Sequence, residues 1–379
     1  MPGRSGLFNR RNALYTRRMD ASRFARGMET LVRATPHLGG RDPEAVLIMN
    51  PRAGGFSHRA RYQSALRAVD AALAAAGSPR PGRLSWRVMA TAEPRHASRM
   101  ASELLDEAAM KHSAEWLVVL ACGDGTSLEF LDTVSRAPAE LRERFTVLRL
   151  PMGTGNDGSD GRELADSLSR LGPAGRVAEQ AALRVIPAPG GPASRLAPDG
   201  EWRAFNIASV GLDAYVTDMT NRLKASLPGD SYRLWLDLAS VLYDRIWPPR
   251  PMELVATGPG NAPAGSWTGE FLLAAMGVSG RRTYGSNKPI LPGDENVCAI
   301  RQMPLLRKLA LKGPIASGRH REFPEALLFS ADTLEIRYAD RLLVQMDGEA
   351  ERLAPEDFPL RIERTAPLVR HLARADGRT

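Results

Sequence analysis

The chain has 379 residues, with 51 lysines and arginines against 43 aspartates and glutamates, a formal net charge of +8 at pH 7. With 43% hydrophobic and 25% charged residues it has the composition of a folded globular protein, and its length favours two domains over one core. No apolar run approaches the roughly 18–20 residues needed to span a bilayer, the N-terminus lacks a secretory apolar core, and Cys122 and Cys298 give neither a disulfide framework nor a zinc site, so a cytoplasmic protein is the expectation.

Residues 1–40 read as a basic arm. Residues 1–35 hold eight arginines against Asp20 and Glu29, a charge suited to anionic lipid head groups, to nucleic acid or to water. Phe24, Met28, Leu31 and Val32 form a helical apolar stripe, which fits either a peripheral membrane helix or a helix packed on the rest of the protein. Ala45–Met49 then reads as a short buried strand running into Asn50-Pro51-Arg52-Ala53-Gly54-Gly55, where proline and glycine force a turn. Helices are expected at His58–Ala76 and Pro94–Lys111, with a strand at Leu84–Met89 between them. Trp116–Ala121 is almost continuously apolar, as in a strand covered on both faces. It enters Gly123-Asp124-Gly125-Thr126 and a helix at Ser127–Arg136, and Thr146–Leu150 repeats the pattern into Pro151-Met152-Gly153-Thr154-Gly155-Asn156-Asp157. Alternating strands and helices at this spacing predict a parallel α/β sheet with ligands gathered at the carboxyl ends of its strands.

After about residue 172 the pattern changes. Strands are expected at Ala181–Ile186, Trp202–Ala208, Met252–Thr257, Phe271–Gly277, Asn296–Ile300, Thr333–Tyr338 and Leu342–Met346, with helices near Asp213–Lys224 and Tyr232–Tyr243. This half reads as antiparallel and β-rich. The apolar cluster of Leu234-Trp235-Leu236, Leu238 and Val241-Leu242-Tyr243 suits core packing or access for an apolar substrate.

Phosphoryl transfer requires a polyphosphate to be held, its charge offset and the accepting hydroxyl aligned. Glycine turns approach phosphates closely because no side chain intervenes, and following helix N-termini reinforce anion binding. The turns at 50–55, 123–126 and 153–157 together form a candidate nucleotide cradle. Asp124 and Asp157 could bind magnesium, position a hydroxyl or cap the next helix; Thr126 and Thr154 could donate to phosphate or cap; Asn50 and Asn156 could contact nucleotide or hold their own turns. Asp347-Gly348-Glu349 reads either as a hairpin turn or as the carrier of a site carboxylate, Glu349. The chain has neither the Gly-x-x-x-x-Gly-Lys-Ser/Thr phosphate loop nor a Gly-x-Gly-x-x-Gly turn in its first strand–helix unit, which disfavours both P-loop and ordinary dinucleotide chemistry.

As a set, these motifs resemble the diacylglycerol kinase catalytic-domain family, in particular its soluble bacterial lipid-kinase branch, which is similar to sphingosine kinases. The matching text is Asn50-Pro51-Arg52-Ala53-Gly54-Gly55, Gly123-Asp124-Gly125-Thr126, Pro151-Met152-Gly153-Thr154-Gly155-Asn156-Asp157, Asn206-Ile207-Ala208-Ser209-Val210-Gly211-Leu212-Asp213-Ala214 and Asp347-Gly348-Glu349. The resemblance implies an N-terminal NAD kinase-like nucleotide-binding α/β domain (41–172, rejoined by 356–379) and a C-terminal antiparallel β-rich substrate domain (173–355). It implies an ATP-dependent kinase of a lipid alcohol, diacylglycerol being one candidate, with ATP and Mg2+ as cofactors. Asn50, Gly54, Gly123, Gly125, Thr126, Gly153, Thr154, Gly155 and Asn156 would meet the nucleotide. Asp124 would stand beside the transferring phosphate and magnesium, Glu349 would activate the acceptor hydroxyl, and Asp157 would support them. Asp294 and Glu295 would hold a second, structural magnesium, and Asn206 and Asp213 would shape the acceptor side.

Cys122 departs from the family, which usually has glycine there. Two further readings stay open: a kinase of a soluble hydroxylated metabolite, NAD kinase-like in activity, and a non-catalytic nucleotide or lipid sensor. Transient contact with an anionic membrane, a peripheral position at its inner surface and a homodimer are expectations of the lipid-kinase reading, and no specific nucleic acid is expected.

Overall fold

The computed structural model describes residues 21–38, 42–78, 83–153, 156, 158, 160–226, 243–284 and 288–375. It is a mixed α/β protein whose contacts separate into two compact units. The first contains the described residues through Glu179 together with those from Val369 onward, and the second spans Gln180–Leu368. The expected boundary at 172/173 follows from Gly172, Pro173 and Gly175, and the one at 355/356 from the resemblance. The changes of unit instead fall inside the strands Gly175–Ile186 and Leu360–Arg374.

In the first unit, helix α1 (residues 21–34) precedes β1 (Glu44–Met49). A single turn α2 (Gly54–Ser57), α3 (Arg59–Ala75), β2 (Ser85–Ala90), α4 (His96–Met110), β3 (Trp116–Cys122) and α5 (Asp124–Arg136) follow. The short α6 (Ala139–Arg142), β4 (Phe145–Pro151) and α7 (Leu164–Ser169) complete it. The strands lie in the order β2-β1-β3-β4, all parallel, and Arg370 and His371 pair beside Thr146 and Val147 of β4. β1 and β3 are buried along their whole length, which is why they read as unbroken apolar runs, whereas every residue of the edge strand β2 is at least partly exposed.

Phe24, Met28, Leu31 and Val32 are buried in this unit's core with Tyr62, Ala65 and Val69 of α3, so the helical stripe of the basic arm packs inward and is no free membrane face. Gly27 permits the approach: a Cβ there would stand 2.4 Å from Val69 Cγ1. Residues 1–20 of the arm lie outside the described residues.

In the second unit β5 (Gly175–Ile186) pairs with β6 (Trp202–Ala204). The elements that follow are α8 (Pro192–Leu196), β7 (Ile207–Gly211), α9 (Leu212–Ser226), α10 (residues 243–246), β8 (Pro251–Thr257), β9 (Pro263–Gly277), β10 (Arg282–Tyr284) and β11 (Lys288–Leu291). Then come β12 (Val297–Arg301), α11 (Leu305–Ala316), β13 (Ala326–Phe329), β14 (Thr333–Tyr338), β15 (Leu342–Met346), β16 (Glu349–Leu353) and β17 (Leu360–Arg374). The main antiparallel order is β16-β15-β7-β9-β8-β14, with residues 360–363 of β17 beyond β14 and with β12 and β13 added through β9. Period-two burial is plain in β8, where Met252, Leu254 and Ala256 face the core. The helix expected at Tyr232–Tyr243, and with it Leu234, Trp235, Leu236, Leu238, Val241 and Leu242, lies outside the described residues apart from Tyr243, which is buried against Tyr215. The sequence reading did not anticipate α11, β13 or β16.

Candidate active site

The registers Met49↔Ala121 and Cys122↔Pro151 bring the carboxyl ends of β1, β3 and β4 to one edge of the first unit's sheet. The three glycine-bearing turns leave from that edge and touch one another in every pairing. Asn50 Nδ2 donates to Thr126 Oγ1 at 3.1 Å, joining the first turn to the second. The Gly55 amide donates to the Met152 carbonyl at 2.8 Å, joining the first to the third. Gly123 and Gly153 close the remaining pair, since a Cβ built on Gly153 would lie 2.6 Å from the Gly123 Cα. Only glycine lets these two backbones approach so closely.

Asn50 also fixes its own turn, accepting from the Arg52 amide at 3.0 Å, so its two roles are joined rather than alternative. Gly54 begins the single turn α2 and is buried. Asp124, Gly125 and Thr126 form the first turn of α5 rather than a loop before it, so the helix begins three residues earlier than expected. Its N-cap, Gly123, supplies no side-chain cap, which leaves first-turn amides available to an anion. Asp124 sits where its charge complements the helix dipole, and its Oδ1 accepts from the Gly158 amide at 3.1 Å. Asn156 adopts the left-handed conformation, φ 60°, and its Oδ1 accepts from the Gly153 amide at 2.6 Å. Thr154, Gly155 and Asp157 lie outside the described residues.

A group that the sequence reading missed holds the far end of the third turn. Arg149 stands in an otherwise apolar strand and is buried, and its Nη2 and Nε reach Asp160 Oδ1 at 2.9 and 3.2 Å. The Arg149 amide donates to Asp160 Oδ2 at 2.6 Å, and His371 Nδ1 stands 3.2 Å from Asp160 Oδ1. Burial alone would raise the Asp160 carboxyl, but the Arg149 charge and the His371 hydrogen bond hold it well below the usual carboxylate range. A Cβ at Gly158 would lie 3.4 Å from Asp124 Oδ1 and 3.7 Å from Arg149 Nη1, so both side chains border that glycine. The available signal was a lone arginine inside the run Phe145–Pro151.

Cys122 is buried, and burial together with Asp124 and Glu129 pushes its thiol far above the ordinary range, with Arg149 opposing. It is an inert filler behind the loop.

In the second unit, Asp347 and Gly348 have φ of 48° and 95°, the pattern of a tight hairpin between β15 and β16. The Asp347 carboxylate accepts from the amides of Phe205, Asn206 and Ile207, which ties this hairpin to the start of β7. Glu349, at the first position of β16, is exposed. Asn206 is buried and donates to the Thr283 carbonyl at 3.1 Å. Asp213 is buried in a cluster with Ser209 and Gln345, and burial pushes its carboxyl up to about 6 against their hydrogen bonds.

Asp294 pairs with Arg281 at 2.8 Å and Glu295 with Arg321 at 3.2 Å. Among the described residues no group of three histidine, cysteine or acidic side chains is arranged to hold an ion. Asp124 does fit the metal of a nucleotide complex, because magnesium there takes one or two protein carboxylates and draws its other ligands from phosphate and water.

Residues 44–172 match the family model described as the diacylglycerol kinase catalytic domain. No curated protein matches at a significant level. Among solved structures, a diacylglycerol kinase from Bacillus anthracis str. Sterne is 14% identical with a TM-score of 0.53, covering 89% of this chain and 98% of that one. A further structure from the same organism, provisionally described as a diacylglycerol kinase, is 16% identical with a TM-score of 0.55 over the same shares. At these identities the likeness shows the fold. A yeast NADH kinase complexed with NADH matches at 10% identity and a TM-score of 0.37, over 88% of this chain and 84% of that one, too low to carry an argument. The match over 44–172 covers the segment that holds all three joined turns and likens that segment to the diacylglycerol kinase catalytic domain.

Proposed function

We propose that the protein is an ATP-dependent lipid kinase that transfers the γ-phosphoryl group to a lipid hydroxyl, with diacylglycerol the first acceptor to test. The observation that carries this reading is the mutual contact of the three turns at one sheet edge, with Asp124 at the head of α5. The first unit would act as an NAD kinase-like nucleotide domain and the second as the acceptor domain. The backbone of Gly123, Gly125 and Gly153 and the Asn50–Thr126 pair would receive the phosphates, with Thr154, Gly155 and Asn156 completing the cradle. Asp124 would hold magnesium, which offsets the charge on the phosphates. Glu349 would orient the acceptor hydroxyl and take its proton, and Asp157 would support the cradle. A loose phosphoryl-transfer transition state needs alignment more than prior deprotonation, so an exposed carboxylate suffices for the acceptor role. The reading places the enzyme in the cytoplasm, working at the inner membrane surface.

The test is transfer from labelled ATP with magnesium to extracted lipids and to soluble alcohols, beside Asp124→Asn and Glu349→Gln. Label in a lipid, with losses of roughly 100-fold or more in both variants and unchanged melting, is the expected result. Label only in a soluble metabolite would overturn the lipid assignment, and ATP binding without any transfer would make the protein a sensor.

A further inference from the structure

The end of β17 is anchored by contacts that lie outside the glycine turns. Leu372 is fully buried, and its carbonyl accepts from Arg170 Nη1 at 3.4 Å. Arg374 Nη1 reaches Asp166 Oδ1 at 2.9 Å, and the Ala375 amide donates to the Ala174 carbonyl at 2.8 Å. His371 stands in this stretch, paired beside Val147 of β4, and its ring Nδ1 lies 3.2 Å from Asp160 Oδ1. Asp160 is held as a carboxylate, which can only accept, so Nδ1 carries the proton of this bond. Arg149 on β4 and His371 on β17 meet the same oxygen from neighbouring strands, so loss of the histidine leaves that oxygen held from one side only.

From Asp160 the constraint runs to the proposed metal site. The Asp160 amide donates to the Arg149 carbonyl at 3.1 Å, and its Oδ2 accepts from the Arg149 amide, so the two ends of the segment 149–160 are fixed side by side. Gly158, two residues before Asp160, is buried and donates its amide to Asp124 Oδ1 at 3.1 Å. The seat of Asp160 therefore sets where that amide points, and the amide sets the rotation of the Asp124 carboxylate. We infer that His371 is a positioning residue for the phosphoryl transfer: by donating to Asp160 it holds the Gly158 amide that aims Asp124 at the magnesium of the nucleotide. Hydrogen bonds that orient a ligating carboxylate carry roughly 10–100-fold in metal affinity or activity. His371 lies outside residues 44–172, the segment that the family model matches. The inference rests on the kinase reading for the role of Asp124.

The test compares the full chain with His371→Phe, which keeps a flat ring and removes the donor, and with His371→Asn, whose side-chain amide restores a donor near the Nδ1 position. Hydrogen exchange at the Gly158 amide is measured without nucleotide or metal, and affinity for ATP with magnesium is measured by calorimetry. In His371→Phe the amide should exchange about tenfold or more faster and the affinity should fall about tenfold, while His371→Asn should stay within about threefold of the parent in both. Equal exchange and affinity in the parent and His371→Phe would overturn the inference, as would a loss that His371→Asn does not recover. A His371→Phe chain that fails to fold would make the residue a structural one and overturn it too. Lipid labelled at equal rates by all three chains would leave the activity standing and the positioning role refuted. If exchange and affinity respond as expected and no lipid is phosphorylated, the positioning role stands and the lipid acceptor fails. A parent chain that binds no nucleotide would overturn both.

Discussion

The Arg149 guanidinium and the Asp160 carboxylate are joined by hydrogen bonds of 2.9 and 3.2 Å while both side chains are almost wholly buried. Eleven residues apart, they close the loop that carries the third glycine turn. Arg149→Met should therefore leave a stranded buried carboxylate and cost about 3–5 kcal/mol in urea unfolding. The double variant Arg149→Met/Asp160→Asn should recover part of that loss. A single-variant cost below about 1 kcal/mol would place the pair with weak surface bridges and remove its role as a clamp.

Asp160 also sets an acid limit. Its carboxyl is held below the ordinary value, so its stabilisation is fully present above an unfolded pKa of about 4 and is lost as pH falls toward the depressed folded value. Unfolding free energy measured downward from pH 5 should fall more steeply in the parent chain than in Asp160→Asn.

Asp213 acts in the opposite direction. Its folded pKa of about 6 exceeds the unfolded value, so the folded chain binds the extra proton. Its contribution is greatest below about pH 4 and is lost as pH rises through about 6, a change of about 2–3 kcal/mol. Asp213→Asn should flatten stability between pH 4 and 6, and an unchanged slope would show that burial does not raise the Asp213 carboxyl.

Gly153→Ala should damage the cradle without replacing any side chain proposed for chemistry. Its Cβ would meet the Gly123 Cα at 2.6 Å and Asn156 Oδ1 at 3.0 Å. Overpacking of this kind costs about 1–3 kcal/mol, and nucleotide affinity measured by calorimetry should fall with it. Gly123→Ala, whose Cβ would find the Gly153 Cα at 3.4 Å, should be milder.

Neither thiol should react in the native protein. Burial raises Cys298 to about 12 and Cys122 further, so both stay protonated and shielded. Titration with an aromatic disulfide should find no fast thiol before denaturant is added and both afterwards; a fast native thiol would mean that the phosphate loop opens.

The sequence by itself determined the parallel strands β1, β3 and β4, because full burial demands continuous apolar runs, and it determined the turns, because glycine and proline stop strands. It also carried the resemblance to the diacylglycerol kinase catalytic domain, whose family model matches residues 44–172. Tertiary structure alone decided what those turns touch: the Asn50–Thr126 bond spans 76 residues, and no local rule connects them. It converted Asp347 from a turn residue into the anchor of the amides at 205–207, because a carboxylate's acceptors are satisfied by whichever strand lies beside it. It also separated two helical apolar stripes that look alike in the text. The α1 stripe is buried because Gly27 lets it close on α3, while the leucines of α11 face outward because Leu311 holds the other side of that helix against the core. Amphipathic spacing gives a helix two faces, and only the packing around it decides which of them meets water.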